Sequence, residues 1–471
     1  MVINMKFNEL GLSAEILKAL DILEYKEVLP VQEKVIPILL DKKDVIVRSK
    51  TGSGKTASYA IPEIEKIDWM LNQPQVLVLT PTRELAKQVA GEFKAIGSYK
   101  RINALPIFGQ QPIKGQITAL KQKVHVVCGT IGRILDHIER GTLDLSMVHT
   151  CIIDEADECF KLGFLDDLEK ILQTLPLCNM ALFSATMNDD VKQIASKYLH
   201  DPVEIQIKEA KEYNTNISLY YVKVTKENKM ETLFHLMNEH KPSQAIIFCN
   251  FRENVETVFD AFYDEGYSCC MIHGGLDQDE RLLNMQDFKK GMFRFLIASD
   301  VAARGIDIEK ISHVYNYDCP TTAENLIHRI GRSGRVDRRG ESYTLVLDTQ
   351  MKYIERMEEE LDTHFIETYA KKSVMSKELA TSERVHLKDE KLSEQIMKLY
   401  LKGGKNKKIR PGDIVGAILE NKNVTFEDIG VIEILEHQSY VDILNGKGEM
   451  VLEDLKKRKI KNKMIIVEKA K

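Results

Sequence analysis

No apolar run in this 471-residue chain approaches the roughly 18 residues that a membrane-spanning helix needs; the longest stretches resemble Val35-Ile36-Pro37-Ile38-Leu39-Leu40. The eight cysteines contain no Cys-x-x-Cys pair, and the neighbours Cys269 and Cys270 cannot easily bridge each other. A disulfide framework and a zinc site are thereby excluded, and the thiols read as reduced. Met1 to Phe7 lacks a basic start followed by an apolar core, which predicts no secretory leader. Together these absences predict a cytoplasmic protein without a membrane partner. No low-complexity tract is present, and 44% apolar with 29% charged residues excludes a mainly disordered chain.

What is present is unevenly charged. From Ile396 to Lys471 there are 16 Lys and Arg against 11 Asp and Glu, while the whole chain carries a net charge of −5. A basic end on an acidic body points to a tail that meets a polyanion, with a solvated charged face as the alternative.

Short Val- and Ile-rich runs alternate with helical patterns: Asp44–Val47, Val76–Leu79, Val124–Val127, Thr150–Ile153 and Met180–Phe183, then Ala245–Phe248, Cys269–Ile272, Phe295–Ala298, His313–Tyr317 and Tyr343–Leu347. Continuous apolar strands between helices predict parallel sheets covered on both faces, and two such series predict two α/β domains, over 1–208 and 217–370. The polar stretch Lys208–Asn216 marks their junction. A charged linker over 371–395 precedes a small third domain over 396–471.

Ser49-Lys50-Thr51-Gly52-Ser53-Gly54-Lys55-Thr56 follows the first apolar run and precedes a helical pattern, the context of a phosphate-binding loop. Glycines let backbone N–H groups close around phosphate oxygens. Lys55 is placed for the β/γ-phosphates and the Thr56 hydroxyl for Mg²⁺, and the helix N-terminus adds a favourable dipole. Asp154-Glu155 ends the run Cys151-Ile152-Ile153, at the carboxyl edge where α/β sheets bind ligands. Asp154 suits a hard ion that keeps part of its water, and Glu155 suits polarisation of an attacking water. Read alone, the pair also fits a helix cap and a first-turn acid.

Asp154-Glu155-Ala156-Asp157 spells the signature of the DEAD-box RNA helicases, and the chain resembles that family in further motifs, in order. Phe7 and Gln32 resemble the adenine-reading Q motif. Pro81-Thr82-Arg83-Glu84-Leu85-Ala86 and Ser184-Ala185-Thr186 match motifs Ia and III. Ile247-Phe248-Cys249-Asn250, with Gln278 and Arg281, resembles motif IV and its companion. Ser299-Asp300-Val301-Ala302-Ala303-Arg304-Gly305-Ile306-Asp307 resembles motif V, and His328-Arg329-Ile330-Gly331-Arg332-Ser333-Gly334-Arg335 matches motif VI. The departures are Val28-Leu29 before Pro30, Gly109-Gln110 in place of Gly-Gly, Ile131 in motif Ib and Ser299 in place of Thr; none removes a catalytic group.

The resemblance implies two RecA-like domains that use ATP and Mg²⁺. Lys55, Glu155, Arg332 and Arg335 would be catalytic. Phe7, Gln32, Thr51, Gly52, Ser53, Gly54, Thr56, Asp154, Gly305 and Asp307 would bind the nucleotide, with Thr56 and Asp154 on the metal. Arg83, Gly109, Thr130, Arg133, Gln278, Arg281 and Ser299 would line the RNA backbone, while Asp157, Ser184, Thr186 and His328 would couple the two events. Backbone contacts give affinity without reading sequence.

The last 75 or so residues read as β-α-β-β-α-β, with strands Met397–Leu401, Ile429–Leu435, Ser439–Leu444 and Met464–Glu468 and helices Pro411–Glu420 and Glu449–Lys459. That is the RRM order, in which aromatics on central strands stack bases; Tyr400 and Tyr440 hold those places. Lys402, Lys405, Lys407, Lys408 and Arg410 form one basic cluster, and Lys456 to Lys463, including Lys461, another. The segments around Lys408–Ile418, Ser439–Val441, Asn445–Gly448 and Ile460-Lys461 resemble the C-terminal domain of the DbpA/YxiN helicases. That resemblance implies a monomer tethered to a 23S ribosomal RNA hairpin near the peptidyl-transferase centre, acting on the large-subunit precursor. A general cold-shock or RNA-decay helicase with a nonspecific tail, an ATP-gated RNA clamp and a DNA translocase are the alternatives. Glu155 with Ser184 and Thr186 argues for turnover, and the RNA-type motifs argue against DNA.

Overall fold

The computed structural model describes residues 5–49, 53–207, 217–300, 311–330, 340–373, 377–380 and 388–470. These form two compact units, one of residues 1–207 with 388–471 and one of residues 208–387. The predicted junction Lys208–Asn216 lies outside the described residues.

In the first unit, β1 (Val45–Arg48), β2 (Val76–Thr80), β3 (Ala104–Ile107), β4 (Val126–Thr130), β5 (Thr150–Ile153), β6 (Asn179–Ser184) and β7 (Val203–Gln206) build an all-parallel sheet in the order β3-β4-β2-β5-β6-β1-β7. Strands β2 and β5 are buried along their whole length, as expected for strands covered by helices on both faces. Two apolar clusters flank this sheet, one around Tyr59, Phe93 and Phe183 and the other around Leu79, Ile134 and Phe160. The edge strands β3 and β7 escape a search for apolar runs because only two of four residues are buried in β3 and one of four in β7.

The second unit repeats the plan. β8 (Ile217–Lys223), β9 (Ala245–Cys249), β10 (Cys269–Ile272), β11 (Phe295–Ser299), β12 (His313–Asn316), β13 (Gly340–Val346) and β14 (Ile366–Glu367) pair in parallel in the order β10-β11-β9-β12-β13-β8-β14. The amphipathic β8, alternating buried and exposed residues over most of its length, and the exposed two-residue edge strand β14 are the strands that a search for continuous apolar runs misses.

The C-terminal residues of the first unit form a small antiparallel sheet. β15 (Met397–Leu401), β16 (Ile429–Ile434) and β17 (Ser439–Ile443) lie where the pattern predicts. A short hairpin of β18 (Lys459–Ile460) and β19 (Lys463–Met464) precedes β20 (Val467–Lys469), so the fourth strand starts later than the predicted Met464–Glu468. The second helix, Gly448–Leu455, also stops short of Lys459, which joins the hairpin. Lys461 and Asn462 both have positive φ, which turns the chain back there. The sheet order β16-β17-β15-β20 is the RRM order, and Leu399, Leu401, Val441 and Ile443 point into its core. All eight cysteines are unpaired. Among the described residues no helix is long and apolar enough to cross a membrane.

Candidate nucleotide and RNA sites

The carboxyl ends of β1, β5 and β6 converge on the start of the helix Lys55–Lys66. Gly54 caps that helix with φ 87°, a left-handed conformation that favours glycine. A Cβ there would stand 2.7 Å from Leu29 Cδ1 and 2.9 Å from Gln32 Nε2. The loop and the helix Pro30–Leu40 are thus packed backbone to side chain, and Gln32 Nε2 donates to the Gly54 carbonyl at 3.4 Å. Gln32 Oε1 meanwhile accepts from the Leu29 amide at 2.9 Å, which fixes the side chain's direction. Phe7 is buried, its ring edge-on to Tyr25.

Lys55 is buried and its ammonium donates to the Ser49 carbonyl at 3.3 Å; Ser53 Oγ donates to Ser49 Oγ at 3.3 Å. Thr56 is half-buried one residue on. Thr51 and Gly52 lie outside the described residues. Asp154 is buried at the end of β5 and accepts from the Tyr59 hydroxyl at 2.8 Å and from the Glu155 amide at 2.9 Å. Burial, followed by the adjacent Asp154 charge, pushes the Tyr59 hydroxyl well above its usual range, so it remains a donor. Tyr59 falls one turn after Lys55 on the same helix, a position that the loop motif itself does not include.

Glu155 caps the helix Ala156–Lys161 with φ 49° and ψ 51°. A left-handed glutamate is unusual, and its place directly after Asp154 turns the chain sharply off the sheet. Asp157, buried, accepts from the Thr186 amide at 3.0 Å and hydroxyl at 2.9 Å, and Ser184 Oγ donates to the Thr186 carbonyl at 2.6 Å. The ends of β5 and β6 are thus tied through polar side chains.

A second group lies along the same sheet edge. Arg83 begins the helix Arg83–Ile96 and donates to Gln110 Oε1 beside Gly109. Arg133 donates to the Gln111 carbonyl and to Gln116 Oε1, both at 3.1 Å, while Thr130 ends β4. Arg83, Gly109, Thr130 and Arg133 are all half-buried.

In the second unit, Ser299 ends β11, and Gln278 and Arg281 lie on the helix Gln278–Lys289. His328 lies on the helix Ala323–Ile330. Gly305, Asp307, Arg332 and Arg335 lie outside the described residues. What the motif reading misses is the neighbour of His328. Arg329, 1% exposed, donates all five N–H groups: to Asp300 Oδ1 at 2.6 Å and Oδ2 at 2.8 Å, Asn250 Oδ1 at 2.6 Å, Asn316 Oδ1 at 3.2 Å and the Asp318 carbonyl at 2.7 Å. One guanidinium thereby joins residues from motifs IV, V and VI. The adjacency of Arg329 to His328 was the available signal, but nothing in a string of letters says which of several arginines turns inward.

On the small sheet, Tyr400 and Tyr440 are directly opposite each other on β15 and β17, with ring centroids 5.7 Å apart. Lys402, Lys408, Arg410 and Lys461 are exposed along one rim. Lys461 also pairs with Asp413 at 3.3 Å, which holds part of that rim in place.

Three family models match the chain: the DEAD/DEAH box helicase over residues 29–194, the helicase conserved C-terminal domain over 228–337, and the DbpA RNA binding domain over 398–469. The chain belongs to the DEAD-box ATP-dependent RNA helicases, in the branch that carries a DbpA-type RNA-binding domain. It is 43% identical over 474 residues to the ATP-dependent RNA helicase DbpA of Bacillus subtilis (strain 168), covering 98% of this chain and 99% of that one. The DEAD-box ATP-dependent RNA helicase CshA of Geobacillus kaustophilus is 44% identical over 354 residues, covering 74% of this chain and 76% of its own. Among solved structures, S. cerevisiae Dbp5 bound to RNA and ADP BeF3 is similar with a TM-score of 0.70 and 29% identity, over 77% of this chain and 95% of that one.

Proposed function

We propose that this RNA helicase separates short RNA duplexes next to a 23S ribosomal RNA hairpin held by its C-terminal domain, during assembly of the large ribosomal subunit in the cytoplasm. The observation that carries the ATP site is the Tyr59–Asp154 bond of 2.8 Å, which fixes the carboxylate of β5 against the first turns of the phosphate-loop helix. Gln32 and Phe7 then take adenine, and Lys55 with the loop amides takes the phosphates.

The donor set fits Mg²⁺: Asp154 and Thr56 are oxygen ligands, and one carboxylate and one hydroxyl leave room for the waters this ion keeps. When bound, the ion would neutralise charge on the phosphates. Glu155, turned off the sheet by its left-handed backbone, polarises the attacking water. Arg332 and Arg335 supply the cations for the γ-phosphate, a contribution typically worth about 10³–10⁵ in rate. Arg83, Gly109, Thr130, Arg133, Gln278, Arg281 and Ser299 hold the RNA backbone. Asp157, Ser184, Thr186 and His328 link that grip to hydrolysis.

The full chain tests this reading in one assay. A 23S fragment carrying the hairpin should stimulate ATP hydrolysis at lower concentration than poly(U), and a duplex appended to it should separate. Equal stimulation by both RNAs would refute the rRNA tether, and ATP consumption without strand separation would favour the clamp.

A further inference from the structure

The RNA-binding domain is not joined to the rest of its unit by the chain alone. Arg101, on the loop before β3 and held at φ 59°, extends its guanidinium between two aromatic rings, 4.9 Å from the centroid of Trp69 and 4.1 Å from that of Phe426. It also donates to two carbonyls of the small domain, Phe426 at 2.6 Å and Ile429 at 2.7 Å. A planar fork that stacks and donates at once is a use to which lysine is poorly suited.

Other contacts surround this one. Ile434 belongs to β16, the edge strand of the small sheet, and its amide donates to Gln122 Oε1 at 3.3 Å. A sheet edge otherwise left to solvent is thereby partly covered. Lys18 donates to Asn445 Oδ1 at 2.6 Å while lying over the Tyr99 ring. The helix Lys388–Gln395 leads into the domain along the helix Ala14–Ile22, where Leu392 packs on the first apolar cluster and Lys391 pairs with Glu24.

Charge agrees with this arrangement. The open face of the small sheet carries Tyr400 and Tyr440 among Glu433, Asp442 and Glu468 and a single lysine, Lys398, which pairs with Glu433 and Asp442, so docking through this face takes both rings away from RNA bases and leaves the RNA to the basic rim. Such a face repels phosphates but suits a basic protein surface, and Lys94 of the first domain lies in the field of Glu433 and Asp442. Lys402, Lys405, Lys408 and Arg410 stay exposed.

We propose that the edge and acidic face of the RNA-binding domain form an intramolecular docking surface for the first helicase domain, pinned by Arg101 between Trp69 and Phe426, so that the two are carried as one body in solution. An RNA held on the basic rim then keeps a fixed position relative to the ATP-binding domain, where a free tether would let it wander.

The test is single-molecule energy transfer in the full chain, with dyes at the exposed positions 26 and 422. The docked chain should give one narrow distance distribution, and Arg101→Ala should broaden it. Phe426→Ala, at an exposed position of the other partner, should do the same without disturbing either core. Binding of a fluorescent ATP analogue, to which neither residue contributes, should stay within about twofold and report that the variants are folded. A wild-type distribution already as broad as that of the variants would overturn the proposal, as would a narrow distribution in the double variant. The measurement needs no RNA, so its failure is separate from failure of the rRNA assignment.

Discussion

Thr186 gives both its backbone amide and its hydroxyl to one carboxylate, that of Asp157, at 3.0 and 2.9 Å. These bonds join the helix after Asp154-Glu155 to the loop after β6, so a shift at one strand end is felt at the other. Thr186→Ala keeps the amide bond and loses the hydroxyl bond, worth about 1.5–3 kcal/mol to a charged acceptor. RNA-stimulated ATP hydrolysis should stay within a few fold while duplex separation falls by about tenfold or more. An equal loss in both, measured on one preparation, would show that the pair supports the ATP site alone.

Glu155→Gln keeps size and shape but removes the group that polarises water. Hydrolysis should fall by about 10²–10⁴, the usual contribution of a positioned base, with ATP affinity unchanged. Equilibrium nucleotide binding beside single-turnover hydrolysis checks both halves.

Arg329 is a structural hub of the second unit. Replacing it by methionine leaves Asp300 and Asn250 facing a site with no donor, and breaking a buried pair from one side costs about 3–5 kcal/mol. Urea unfolding of the full chain, followed by hydrogen exchange of the β9, β11 and β12 amides, should show the loss confined to the second unit. Arg329→Lys should recover only a small part, because one ammonium cannot reach five acceptors.

Acid should loosen the small domain through Asp428. Its carboxyl is buried, which by itself would raise its pKa, yet Asn445, Lys447 and both donors of Thr425 hold it down to about 2. A carboxylate held below its unfolded value adds stability that is complete above about pH 4 and is lost as pH falls toward 2. At pH 7, Asp428→Asn should destabilise the domain by about 2 kcal/mol, and the difference from wild type should close as pH approaches 2. Amide exchange within β16 and β17 across that range gives the readout.

Lys402→Ala with Lys408→Ala should weaken binding of the 23S fragment in a salt-dependent way. Each lost phosphate contact lowers the slope of log affinity against log salt by about 0.7–0.9. An unchanged slope would place the RNA elsewhere.

Much of this was written in the letters. Buried parallel strands must be apolar throughout, so β2, β5, β9 and β11 are visible as runs of Val, Ile and Leu, and phosphate chemistry needs glycines, a lysine and acids at fixed spacing. The amphipathic β8 and the edge strands β3 and β7 were not visible, because partial exposure dilutes their pattern. In the small domain the hairpin at Lys459–Met464 displaced the fourth strand, since a run of lysines gives no sign of where a chain reverses.

Sequence alone therefore determined the class of chemistry, the two parallel sheets and the RRM order, because each rests on local spacing and periodic burial. Tertiary structure alone decided which polar groups meet: Tyr59 with Asp154, Thr186 with Asp157, Arg329 of one motif with Asn250 and Asp300 of two others, and Arg101 with a ring more than 300 residues away. Those contacts depend on strand order and on which side chain loses its water, and neither quantity is a property of neighbouring letters.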